Sequence, residues 1–241
     1  ETYRELADIK NFTIGQLSIG MSHTRGRFLL PAILPAYKAQ LPNIELHLVE
    51  GNSSELTQAL IHGEIDLMID LLPFKAENIE TLPICQEEIL LVIPDAVLNQ
   101  YFPGKQEQIK LALKESADIS LLSQCPFLLI NKGNQVRTIA DQIFEEAQIS
   151  PPILLETENI ETTFALAVKG MGITFYPKMF ITDSDMKKQT AEKNLGFDFY
   201  PLSYSKTHGT LAFGYHKGRY LSQATKQFMV IAKENICSVS L

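Results

Sequence analysis

The residues best suited to chemistry sit in one stretch, Leu17-Ser18-Ile19-Gly20-Met21-Ser22-His23-Thr24-Arg25-Gly26-Arg27-Phe28-Leu29-Leu30-Pro31. An apolar, strand-like run leads there directly into a helical pattern. The junction carries hydroxyls on Ser22 and Thr24 and basic groups on His23 and Arg25, with no nucleophile–base pair. The first turn of a helix has unpaired N–H groups and the positive end of the helix dipole, so the junction suits a small anion. The same residues also read as a plain N-cap at Ser22 or Thr24. A second stretch, Phe127-Leu128-Leu129-Ile130-Asn131-Lys132-Gly133-Asn134-Gln135-Val136-Arg137, has the same form with amides in place of hydroxyls. Asn131 and Gln135 could complete a polar cage facing Ser22 and Thr24. The alternative for Asn131 and Asn134 is turn formation, which Asn favours.

Both junctions belong to a repeated plan. Apolar runs at 14–20, 44–49 and 65–70 are echoed at 126–131, 152–155 and 172–176, with similar intervals between successive starts. Helical patterns fill the intervals. In each half the second helix ends near a glycine that precedes the third strand, Gly63-Glu64-Ile65-Asp66 and Gly170-Met171-Gly172-Ile173. This predicts two α/β units. Segments near Leu82-Pro83 and at 203–207 cross between them, and a strand at 210–215 with a final helix at 219–236 returns to the first unit. Two crossings give a hinge and a cleft, and open α/β sheets bind ligands beyond the carboxyl ends of their strands.

Periodicity places the helices. The first turns Leu30, Ile33, Leu34 and Tyr37 inward, with Pro31 in its first turn and a local distortion at Pro35. Leu29, Ala36 and Ala39 lie off that stripe and would permit close packing against a partner. The next helix, capped by Ser53 or Ser54, buries Leu56, Ala59 and Leu60. In the second half the stripes are Ile139, Ile143, Phe144 and Ala147, then Ile160, Phe164, Ala167 and Val168. The last helix buries Leu221, Ala224, Phe228 and Ile231.

Composition narrows the function. A chain of 241 residues with 45% hydrophobic content suits two domains. A formal net charge of −7 and the lack of a basic stripe argue against direct binding to nucleic acid. No apolar run approaches the roughly 20 residues that span a bilayer, which argues against a membrane role. The polar start Glu1-Thr2-Tyr3-Arg4-Glu5 has no signal-peptide core. The three cysteines, Cys85, Cys125 and Cys237, are far apart and odd in number, which points to a reducing compartment and to a cytoplasmic protein. No metal-ligand spacing and no Ser/His/Asp order is present, so neither a cofactor nor catalysis is expected.

One family combines these features. Gly15-Gln16-Leu17-Ser18-Ile19-Gly20, Leu30-Pro31-Ala32-Ile33-Leu34, Leu41-Pro42-Asn43-Ile44-Glu45-Leu46 and Glu50-Gly51 occur in order. Leu60-Ile61-His62-Gly63-Glu64-Ile65-Asp66-Leu67 and Leu90-Leu91-Val92-Ile93-Pro94 follow, then Val168-Lys169-Gly170-Met171-Gly172-Ile173 with Tyr176-Pro177. From about residue 12 to the C-terminus the chain resembles the effector-binding domain of LysR-type transcriptional regulators. The resemblance implies an α/β fold of two Rossmann-like subdomains joined by two crossover segments, like a type 2 periplasmic binding protein. Residues 1–11 would end a linker helix, 12–82 with 207–241 would form subdomain I, and 83–206 subdomain II.

By the same resemblance, effector contacts fall on Ser22, His23, Thr24 and Arg25, on Leu71 after the third strand, on Asn131 and Gln135, and on Thr157 and Asn159. Leu71 is apolar where some relatives have a hydroxyl, so it would not contribute a polar contact. The implied function is regulatory. A small, anionic effector would bind in the cleft, with DNA reached only through a winged helix-turn-helix N-terminal to this segment. A homodimer or higher oligomer is implied, with the first helix of one copy against the second unit of its partner. Pro35 stands where an aliphatic residue is usual, and 95–124 looks like an extra-long loop. A solute-binding protein of a transporter, marked by an upstream signal peptide, or an enzyme on the same fold are the alternatives.

Overall fold

The computed structural model describes residues 15–186, 196–204 and 207–239. The expected linker helix at 1–11 lies outside the described residues. The chain forms two compact units, one running to Gln86 and resuming at Thr210, the other spanning Glu87–Gly209. It passes between them inside two strands, β4 (Ile79–Pro94) and β9 (His208–His216), rather than in loops.

The first unit is built on β1 (Gly15–Met21), α1 (His23–Gln40), β2 (Ile44–Glu50), α2 (Ser53–His62), β3 (Leu67–Leu71), β9 and α7 (Gln223–Val239). β1 lies between β2 and β3 and is parallel to both, while β9 joins β3 antiparallel, Met68 opposite Gly214. β1 from Leu17 to Met21 and all of β3 are buried, as expected of strands covered on both faces. α1 packs on α7 through Tyr37, whose hydroxyl donates to the Ala224 carbonyl at 3.2 Å and whose ring meets Phe228 edge-on at 5.3 Å. Burial pushes the Tyr37 phenol up to about 12.

Two expectations for α1 are corrected. The buried stripe is Leu29, Ile33 and Tyr37, an i, i+4, i+8 row, and Leu30 and Leu34 are half-buried on the outer side. Pro31 lies deep inside the helix, because Ser22 caps it nine residues earlier, and the helix continues through Pro35. Both prolines are exposed. The carbonyls they deprive of a donor, on Arg27 and Pro31, belong to the outward-facing side of the helix. The cap of α2 is also corrected: it is Asn52, whose side chain accepts the Ser54 and Glu55 N–H groups while Glu55 returns a bond to the Asn52 N–H.

The second unit places β7 (Thr174–Pro177) and β8 (Phe197–Tyr200) antiparallel to β4, and pairs β5 (Phe127–Ile130) with β6 (Ile153–Thr157) in parallel. α5 (Gln135–Glu146) and α6 (Ile160–Val168) follow β5 and β6. Phe127, Phe144 and Phe175 form one aromatic cluster, and Phe164, Tyr176, Phe197 and Phe199 another. Segment 95–124 is not a loop. It holds α3 (Asp95–Tyr101), α4 (Gln106–Ser116) and a short 3₁₀ turn. Lys110 of α4 ties this insertion down by pairing with Asp95 and, at 3.3 Å, with Asp198 of β8.

Candidate functional site

In the first unit, β1 ends at Met21 and α1 begins at once. The Ser22 hydroxyl accepts the Arg25 N–H at 3.4 Å, a weak cap, so the first turn of α1 stays open toward whatever lies beyond the strand ends. His23 is exposed, its Nδ1 3.0 Å from Glu50 Oε1 at the end of β2. Thr24 is buried, yet its hydroxyl makes no hydrogen bond among the described residues.

Arg25 turns inward. It is 3% exposed, and its Nε lies 3.4 Å from Oδ1 of Asp70, itself 5% exposed. Asp70 also accepts the Leu71 N–H at 2.8 Å and the Ser53 hydroxyl. One carboxylate therefore ties together the starts of α1 and α2 and the end of β3. Leu71 is fully buried and belongs to the core of this unit. Asp70 is not among the residues singled out in the sequence, and Ser53 is there only as a candidate helix cap. The signal was there: a lone carboxylate inside the apolar run Leu67-Met68-Ile69-Asp70-Leu71 needs a buried partner.

The second unit repeats the arrangement. The Asn131 N–H extends the pairing of β5 with β6 by donating to the Thr157 carbonyl at 2.8 Å, and the Asn131 amide side chain is uncommitted among the described residues. Asn134 caps α5 by accepting the Val136 N–H at 2.9 Å, which settles its role as a cap. Gln135 is buried at the first position of that helix. Thr157 ends β6, and Asn159 caps α6 by accepting the Glu161 N–H at 2.8 Å.

Arg137, one turn into α5, is the counterpart of Arg25. It is buried and donates to the Ile130 carbonyl at 3.0 Å, to Asp141 at 2.8 Å, and to Glu156.

The buried cations at both junctions are therefore matched within the protein, Arg25 by Asp70 and Arg137 by Asp141 and Glu156, while His23 meets Glu50 and Lys132 of the second junction is exposed. What remains for a ligand is the helix ends and Lys132. Neither α1 nor α5 has an acidic residue in its first turn, whereas α2 and α6 carry Glu55 and Glu161 there. Among the described residues no group of three or more His, Cys, Asp or Glu is placed to hold a metal, and no helix is long and apolar enough to cross a membrane. Cys125 is buried and its thiol is pushed up to about 11, which keeps it out of thiolate chemistry.

Residues 11–236 match the family model described as the LysR substrate binding domain. The chain is 28% identical over 227 residues to the HTH-type transcriptional regulator YcgK of Bacillus subtilis (strain 168), covering 92% of this chain and 67% of that protein. It is 25% identical to a probable RuBisCO transcriptional regulator of Trichormus variabilis, covering 95% of this chain and 64% of that protein. The chain thus spans about two thirds of the length of the curated relatives it matches. Among solved structures, the effector-binding domain of QuiR in complex with shikimate aligns with a TM-score of 0.73 at 19% identity, covering 94% of this chain and 99% of that one. The regulatory domain of Synechocystis PCC6803 CcmR in complex with 2-PG aligns with a TM-score of 0.72 at 18% identity, covering 91% and 96%. These neighbours share the type 2 periplasmic-binding-protein-like fold.

Proposed function

Because this chain belongs to the LysR substrate-binding domain family, we propose that it senses a small anion and reports it to a DNA-binding domain elsewhere in a longer protein. The observation that carries the reading is the matched pair of helix ends. α1 starts directly at the end of β1 and α5 after a four-residue turn beyond β5, each without a first-turn acid and beside an uncommitted polar side chain, Thr24 and Asn131. An anion held by N–H groups and hydroxyls needs no counter-cation, which fits a site whose buried arginines are already paired.

The effector would contact Ser22, Thr24 and His23 in the first unit and Asn131, Gln135, Thr157 and Asn159 in the second. Arg25 and Leu71 act behind these groups, as supports. Binding shifts the population of arrangements of the two units, and so of the DNA-binding domains. The relatives' names supply the helix-turn-helix. With a net charge of −7 this segment does not touch DNA itself. Cytoplasmic residence follows from that role.

A thermal-shift screen of carboxylates, phosphate esters, sugars and amines tests the chemistry. A ligand at a hundred times its Kd adds about 2.7 kcal/mol to stability. Anions are expected among the hits, and Thr24→Ala is expected to weaken the best of them roughly tenfold, the loss of one hydrogen bond to a charged group. Lys114→Ala, on an exposed helix face, should leave it unchanged. Hits restricted to amines, or full affinity in Thr24→Ala, would overturn the reading.

A further inference from the structure

A cavity of about 430 Å³ opens within the first unit, lined among others by His62, Asp66, His216, Arg219, Ser222 and Thr225. It lies at the opposite end of the strands from the Ser22–Arg25 junction. β9 runs antiparallel to β3 with Met68 opposite Gly214, so His216 ends beside Asp66, ahead of the start of β3. Asp66 and Asp70 are about 13 Å apart along the strand at ~3.3 Å per residue.

Arg219 gives the cavity its character. Its guanidinium donates to the Leu60 carbonyl at 3.4 Å and the Ile61 carbonyl at 2.9 Å, closing the C-terminal end of α2. It has no carboxylate within ion-pair distance among the described residues. A guanidinium has five N–H donors, so most of them, and the whole charge, remain for a ligand. Gly63 is shaped around it. Its φ of +80° ends α2, and a Cβ there would collide with the guanidinium, whose Cζ would be 2.9 Å away. Asp66, the acid among these six, is turned toward the sheet, its Oδ2 accepting the Ser18 N–H at 2.9 Å.

Three further features agree. His216 lines this cavity, and its Nδ1 has no hydrogen-bond partner among the described residues. α7 starts at the cavity wall with no acidic residue in its first turn, the Ser222 hydroxyl accepting the Thr225 N–H at 3.1 Å. Lys226, one turn further on, lies 5.8 Å from the ring centroid of Tyr220, another lining residue. The volume falls in the range of metabolite pockets.

We propose that this cavity is a second small-molecule site, which takes a carboxylate or phosphate group between Arg219 and the start of α7. It does not depend on the effector reading above. Amide NMR titrations of the 241-residue chain with inorganic phosphate and, separately, succinate test it, with ethylammonium at matched ionic strength as the control. Saturable shifts are expected at Gly63, Arg219 and Ser222–Thr225 with at least one anion and not with the cation. Arg219→Gln keeps an amide donor for the α2 carbonyls while removing the charge, and should weaken binding at least tenfold. Ser222→Asp retains a good cap, leaves Arg219 untouched, and should abolish binding by repulsion. The proposal is overturned by the absence of saturable shifts with both anions, by shifts confined to Ser22–Gly26, or by undiminished binding in Ser222→Asp. Shifts confined to Ser22–Gly26 would instead support the effector site.

Discussion

Arg25 and Asp70 show how a residue can matter to a site without touching its ligand. Both are nearly inaccessible, and Asp70 also holds the Ser53 hydroxyl and the Leu71 N–H. Removing one member of a buried pair strands the other charge, which typically destabilises by about 3–5 kcal/mol. Asp70→Ala is therefore expected to lower unfolding free energy in urea by about that much, and Arg25→Met by a similar amount. The double variant Arg25→Met, Asp70→Leu should lose far less than the two single effects combined, because no charge is left unpaired. Strict additivity in the double-mutant cycle would show that the pair is not coupled. The sequence made Arg25 legible as a cation near a helix start but could not show which way it faces. Its orientation depends on Asp70, which is 45 positions further along. Arg137 was hidden for the same reason: its partners Asp141 and Glu156 come from its own helix and from β6. Local motifs locate a junction; pairing across the fold decides which of its side chains are free.

At the scale of elements, the strand–helix alternation of both halves was readable because period and punctuation act locally. Both junctions, the glycine endings at Gly63 and Gly170, and the returning strand β9 fall near their expected places. α1 was harder, because it is apolar on two faces. Leu29, Ile33 and Tyr37 are buried, Tyr37 against α7, while Leu30, Pro31, Leu34 and Pro35 line an outer groove. Periodicity finds a stripe and cannot choose between two that are one residue apart; the ring of Tyr37 against Phe228 makes the choice. The insertion at 95–124 stayed opaque because Gln106–Ser116 buries only Leu113 and is held largely by the charges around Lys110. The prolines give a test at this scale. An interior proline disfavours a helix by about 3 kcal/mol relative to alanine, offset by up to about 1 kcal/mol from restricting the unfolded chain. Pro35→Ala should accordingly raise the urea midpoint, with a gain of roughly 1–2 kcal/mol and an unchanged m-value. A lowered midpoint would mean that the proline ring makes contacts worth more than the hydrogen bond it forfeits.

For the molecule as a whole, the apolar surface that remains outside is unevenly placed. The first unit exposes the α1 groove, of about 470 Å³, with Leu30, Pro31, Leu34 and Pro35 along it, and Leu48 on the edge strand β2. In the second unit β6 has β5 as its partner on one side, and Ile153, Leu154 and Leu155 are 46%, 53% and 37% exposed. A strand with one covered face would hide alternate residues; three consecutive exposed aliphatic side chains on an edge strand make a surface suited to a partner. Leu29, expected on that outer surface, is core, so the packing face is the Leu30–Leu34 row instead. We expect two copies to pair so that the α1 face of each meets the second unit of the other. The contact then occurs twice about a two-fold axis and closes without leaving a free patch. Two such contacts can reach the roughly 1,200–2,000 Å² of a stable interface. Sedimentation velocity at micromolar concentration should show a dimer for the unaltered chain. Leu34→Glu, which charges the groove without entering the core, should give a monomer with unchanged far-ultraviolet circular dichroism. A monomeric unaltered chain would refute the arrangement, and a dimer that tolerates Leu34→Glu would move the interface off α1.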